Sequence, residues 1–172
     1  MSHSQLFAQV SPLVTIGGLP SVTEIGALGR RGIVNLVNVS GIPLSSLYDP
    51  LALAKFRIDE QRFSDIFSTD SAQELTSALP ETFSSQSVAL PRAFGIAVAS
   101  VIGAWRQGNS VFLFCHQGVG RAPAVALAAI HSGFKVPLED AAAIVEKMRP
   151  QALVTNMSRA AANWYRQIHE KP

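Results

Sequence analysis

The chain has 172 residues, 48% of them hydrophobic and 15% charged, with a formal net charge of +2. That is enough to bury one real core, and it excludes collagen-like and disorder-prone classes. A balance this mild, without a Lys/Arg run or an aromatic-studded basic stripe, also excludes the footprint of a nucleic-acid binder.

In chain order, Leu13–Ile16 reads as a short strand closed by Gly17-Gly18. Ser21-Val22-Thr23-Glu24 has capping-box spacing and opens a helix to about Arg31, stopped by Gly32. Ile33–Val39 is β-branched and apolar on both faces, as in an interior strand of a sheet covered on both sides. A short helix within Ser45–Ala54 and a weak strand at Lys55–Ile58 follow. Residues 59–90 are rich in Ser, Thr, Asp and Gln, and are too long for a plain connection. Their later part, 66–90, is expected to be an inserted lid. Pro91 stands where a helix begins, and Ala93–Arg106 carries it to Gly108. Val111–Phe114 is a buried strand, and Arg121 or Ala122 opens an all-round apolar helix to Ser132, with Pro123 tolerated in the first turn. Leu138–Met148 and Thr155–His169 are the last two helices. Strands alternating with helices over residues 1–172 predict one α/β domain with a mainly parallel central sheet flanked by helices.

The charge-free apolar stretches Ala93–Trp105 and Ala122–Phe134 are too short to span a bilayer. No basic opening leads into an apolar segment of the secretory kind, and one cysteine cannot form an internal disulfide. The expected setting is therefore the cytoplasm, with neither a membrane nor a nucleic acid as partner. The four histidines and the cysteine are too scattered for zinc spacing. His3, His131 and His169 read as surface or helix residues, and Trp105 and Trp164 as helix-face packing.

The chemistry concentrates in VFLFCHQGVGRAP, residues 111–123. Strand, loop and helix succeed one another there. The loop arrives at a helix N-terminus, where unpaired N–H groups and the positive dipole end attract anions. Gly118 and Gly120 let the backbone of His116, Gln117, Gly118, Val119 and Gly120 curl into a nest of N–H groups. Arg121 adds a planar fork for two phosphate oxygens, and Cys115 sits at the base, where the same field favours thiolate over thiol.

Cys115, Gly118 and Arg121 match C-x2-G-x2-R, and this stretch resembles the signature of the protein tyrosine and dual-specificity phosphatases. VTIGGLP with its helix, GIVNLVNVS, and Arg149-Pro150 followed by Asn156 extend the resemblance to the dual-specificity type. The resemblance implies a phosphatase fold and hydrolysis of phosphotyrosine, with phosphoserine or phosphothreonine as further substrates, on phosphorylated proteins or small aryl phosphates. Cys115 would attack phosphorus, loop N–H groups and Arg121 would hold the equatorial oxygens, and a carboxylic acid would protonate the leaving oxygen. No metal or other cofactor is expected. The resemblance suggests that Asn38 bonds the phosphate loop's backbone, against the plainer reading of a strand-end amide; His116 reads as a loop residue that points away from the phosphate, with a part in substrate selection as the alternative, and the loop's lack of Lys disfavours a lipid substrate.

For the acid, KFRIDEQRFSDI offers Asp59, Glu60 and Asp65. Asp59 lies 56 residues before Cys115, and Glu81, in a Pro-acid pair, lies 34 before it. Asp59 is the preferred acid, with Glu81, Glu60 and Asp65 as rivals. The chain departs from the family at Phe114, where histidine is usual, and at Ala122, where Ser or Thr is usual. Both departures predict a slower enzyme. A non-catalytic phosphate-recognising relative and a rhodanese-like sulfur transferase are the alternatives.

Overall fold

The computed structural model describes residues 1–68 and 79–170.

Four short strands form one parallel sheet in the order β1-β4-β2-β3: β1 (Val14–Gly17), β2 (Asn35–Asn38), β3 (Arg57–Glu60) and β4 (Val111–Phe114). Strand β4 is flanked on both sides and buried at all four residues, which its unbroken apolar run requires. Its side chains alternate between two cores. Val111 and Leu113 join the larger one, beneath α5 (Ala89–Arg106), α6 (Arg121–Gly133), α7 (Leu138–Met148) and α8 (Asn156–His169). Phe112 and Phe114 stack at 5.1 Å in the smaller one, with Ile25 and Leu28 of α2 (Val22–Arg30). Helix α6 is buried at every position from Ala122 to His131, as its all-round apolar sequence predicts.

The parallel α/β plan agrees with the sequence, and the differences are local. Helix α1 (His3–Val10) was not expected, although its signal is present. Ser2 and Gln5 form a reciprocal capping box, and Leu6 and Val10 are buried. The helix expected within Ser45–Ala54 divides into a 3₁₀ turn, Leu44–Ser46, and α3 (Pro50–Leu53), where Asp49 caps and Pro50 opens a new first turn. The third strand lies two residues later than its apolar residues indicated, because its register is set by pairing Asn35–Asn38 with Arg57–Glu60. Of the expected lid at 66–90, residues 69–78 lie outside the described residues. Its flanks belong to the core: Phe67, and Phe83 of α4 (Pro80–Ser84), are fully buried. Among the described residues, no helix is long and apolar enough to cross a membrane.

His131 is a buried helix residue, 6% exposed, and its Nδ1 lies 2.7 Å from the Val136 carbonyl. Arg166 Nη1 donates to the same carbonyl at 3.1 Å. Burial, with Arg166 adding to it, pushes the imidazole pKa below its ordinary value, against the opposing pull of the Val136 carbonyl. The unfolded chain therefore binds a proton at His131 more readily than the folded one. Stability falls as pH drops through the unfolded value of about 6.5 and levels off below the folded value. Thermal melts at pH 7, 6 and 5 should show a shallower acid loss in His131→Gln than in wild type. Equal slopes would remove His131 from the account.

Candidate active site

The row Gly17, Phe114, Asn38, Glu60 closes the sheet at one level, so the segments after all four strands leave from the same edge. Open parallel sheets bind ligands outside these carboxyl ends. Cys115 follows β4 directly, is 2% exposed, and is tied to β1 by its N–H donating to the Gly17 carbonyl at 3.3 Å.

The loop after Cys115 has its carbonyls turned outward by four separate donors. Leu19 N–H donates to the His116 carbonyl at 3.0 Å, and Leu153 N–H to that of Val119 at 2.9 Å. Arg149 holds the two between, donating from Nη2 to the Gln117 carbonyl at 2.9 Å and from Nε to that of Gly118 at 3.1 Å. The N–H groups consequently face the concave side. Gly118 N–H donates to Cys115 Sγ at 3.2 Å, placing the sulfur on the floor of the nest. The N–H groups of residues 116, 117, 119, 120 and 121 have no acceptor among the described residues. His116 and Gln117 are exposed, so their side chains lie outside the nest.

Two glycines are sterically required. Gly118 has φ +71°, and a Cβ there would lie 2.6 Å from Arg149 Nη2 and 2.7 Å from the Gly17 carbonyl carbon. A Cβ on Gly120 would lie 2.7 Å from Asp65 Oδ1 and 2.9 Å from the Ser68 backbone nitrogen.

Arg121 begins α6. Its Nη1 donates to the Ser40 carbonyl at 2.9 Å, while its Nε is buried without a partner among the described residues. Ser40 is fixed in turn by Asn38, whose Oδ1 accepts from Ser40 N–H at 2.9 Å and Oγ–H at 2.6 Å. This corrects the expectation for Asn38. Its side chain bonds Ser40, the Ile42 carbonyl and Glu60, and supports the carbonyl that holds Arg121.

The four candidate acids separate clearly. Asp59 pairs with Val37, on a level with Leu113 and two strands from β4. At strand spacings of about 4.8 Å and rises of about 3.3 Å, that leaves its backbone on the order of 12 Å from Cys115. Its Oδ1 accepts from Gln61 Nε2 at 2.8 Å. Glu60 accepts from Asn38 Nδ2 at 2.7 Å and Leu44 N–H at 2.9 Å. Glu81 is exposed on α4, which is packed through Phe83 against Phe94 and Trp164. Asp65 lies against the loop, its Oδ1 2.7 Å from where a Cβ on Gly120 would stand. Counting residues from a strand could not show this placement, because it follows from Phe63 and Phe67 both being buried. Each of those rings contributes about 2–3 kcal/mol by burial, and together they pin the turn between them. Asp65 accepts there from Phe67 N–H, Ser68 N–H and Ser68 Oγ–H.

Phe114 and Ala122 are both fully buried. Phe114 belongs to the smaller core, and Ala122 brings no hydroxyl to the first turn of α6.

Arg149 is the functional residue whose role the sequence did not reveal. Pro150 disfavours helix at the preceding residue, so α7 stops and Arg149 becomes extended, with φ −139° and ψ 90°. Its guanidinium then reaches the loop rather than solvent. Arg149→Ala should lower both phosphate affinity and turnover by about 10–100-fold, since the Gln117 and Gly118 carbonyls lose charge-assisted partners. Vanadate titration followed by aryl phosphate kinetics checks this, and unchanged vanadate affinity would refute the clamp.

No protein-family model matches the chain, and no curated protein matches it in sequence. Solved structures do. Tk-PTP in its active form superposes with a TM-score of 0.66 at 15% identity, over 90% of this chain and 92% of that one. The human tyrosine phosphatase-like serine/threonine/tyrosine-interacting protein gives 0.66 at 18% identity, over 92% and 93%. PTPMT1 in complex with PI(5)P gives 0.65 at 12% identity, over 91% of each chain. The chain has the fold of the protein tyrosine and dual-specificity phosphatases.

Proposed function

We propose that the protein is a cysteine-dependent phosphatase that hydrolyses phosphomonoesters, with phosphotyrosine and aryl phosphates as the leading substrates. The observation that carries this reading is the nest: outward carbonyls, N–H groups of residues 116, 117, 119, 120 and 121 that have no acceptor among the described residues, and the Cys115 sulfur on its floor. Such an arrangement stabilises the charge of a transferring phosphoryl group without reorganising at the moment of reaction.

In the proposed reaction, Cys115 Sγ attacks phosphorus, forming an S–P bond as the P–O bond to the leaving group breaks. Arg121 and the loop N–H groups hold the equatorial oxygens. Asp65 gives its proton to the leaving oxygen. Water then attacks phosphorus and returns a proton to Asp65, the S–P bond breaks, and inorganic phosphate departs. The test is release of phosphate from phenyl phosphate by the full chain, with competitive inhibition by vanadate. No release above the uncatalysed rate would overturn the reading.

A second reading, recognition of phosphorylated partners without turnover, draws on Ala122 and Phe114. It would bind vanadate but release no phenol.

A further inference from the structure

A cavity of about 480 Å³ opens beside the nest, and Ser40, Arg62, Phe63, Ser64, Ser87 and Arg121 are among its lining residues. Arg62 is exposed and has no hydrogen-bond or ion-pair partner among the described residues. Its side chain and that of Arg121 flank Gly41. A Cβ placed on Gly41 would lie 3.8 Å from both Arg62 Cγ and Arg121 Nη1. Among the described residues no carboxylate lines this cavity. The nearby acids have other partners: Asp59 Oδ1 takes Gln61, Glu60 takes Asn38 and Leu44, and Asp65 takes Phe67 and Ser68, while Asp59 Oδ2 is buried without a partner among the described residues. Two guanidinium groups sharing one cavity without a counter-charge repel each other, and an anionic ligand reverses that penalty.

One phosphoryl group on the nest would satisfy Arg121 and leave Arg62 unmatched. We propose that Arg62 is a specificity residue that binds a second anionic group, a carboxylate or a phosphate, carried by the same phosphomonoester. The volume accommodates this, being within the range of small-ligand sites. This rests on the phosphatase reading for its substrate class, while its binding arm stands apart from turnover.

The experiment compares two matched pairs: phenyl phosphate with 3-carboxyphenyl phosphate, and phosphotyrosine peptides differing only in Asn or Asp beside the phosphotyrosine. Wild-type protein should prefer the anionic member of at least one pair by about tenfold in kcat/KM, mainly through KM, and added salt should erode the preference. Preference within the peptide pair alone assigns a peptide source; preference within the aryl pair assigns a compact small-molecule one. Arg62→Gln should bring the ratio close to one, and Arg62→Lys should keep part of it. The same pairs titrated calorimetrically into Cys115→Ser protein, with and without Arg62→Gln, read the discrimination without turnover. Hydrolysis of neither pair with intact binding discrimination would sink the phosphatase reading and keep this one. Equal affinity for both members of both pairs, or a ratio untouched by Arg62→Gln, would overturn it.

Discussion

Cys115→Ser protein should hydrolyse phenyl phosphate at least about 10⁴-fold more slowly than wild type, because the step that forms the S–P bond has lost its nucleophile. Binding should survive. The nest is built from backbone N–H groups whose carbonyls are held by Leu19, Arg149 and Leu153, and none of those bonds involves the sulfur. Calorimetric titration with phenyl phosphate should therefore give an affinity within about threefold of wild type, while phosphate release collapses. Retained turnover in the serine variant would remove Cys115 from the chemistry. Equal absence of turnover in both proteins, with binding intact, would favour recognition without catalysis.

The second large effect concerns the acid, and it is read through the leaving group. A general acid matters most when the departing oxygen is strongly basic, and contributes about 10²–10⁴-fold there. Asp65→Asn should therefore slow phenyl phosphate hydrolysis by about 10²–10³-fold and 4-nitrophenyl phosphate hydrolysis much less, since nitrophenolate leaves without a proton. Asp59→Asn should show no such dependence on leaving group, because Asp59 lies within the edge strand and is bonded to Gln61. A leaving-group series measured on both variants decides the assignment. A steeper dependence in the Asp59 variant would assign the acid to Asp59 instead. Asn at position 65 can still accept hydrogen bonds from Phe67 and Ser68, so the turn should persist.

Most of the architecture was legible because its signals are local. The apolar run Val111–Phe114, the Gly-bearing loop and the uniformly apolar helix after it each specify their own conformation, and the strand and α7 bounds match residue for residue. Helix α1 was legible too, through Ser2 and Gln5, but its short amphipathic pattern is easily passed over. The candidate site was only half legible. Arg149 read as part of a helical tail, since nothing in its neighbours in sequence says that a stopped helix delivers it to residues 117 and 118.

The sequence by itself determined the cradle: a thiol at the end of a buried strand, glycines in the loop that follows, and an arginine at the start of the next helix. These depend on backbone chemistry between residues 115 and 121, so spacing alone carries them. Only the tertiary structure decided what surrounds the cradle. Asp65 reaches Gly120 because Phe63 and Phe67 are buried on either side of it. Arg62 shares a cavity with Arg121 because the segments after β2 and β3 leave the same edge of the sheet. Those placements arise from packing between segments far apart in the chain, and burial of aromatic rings, not local propensity, sets them.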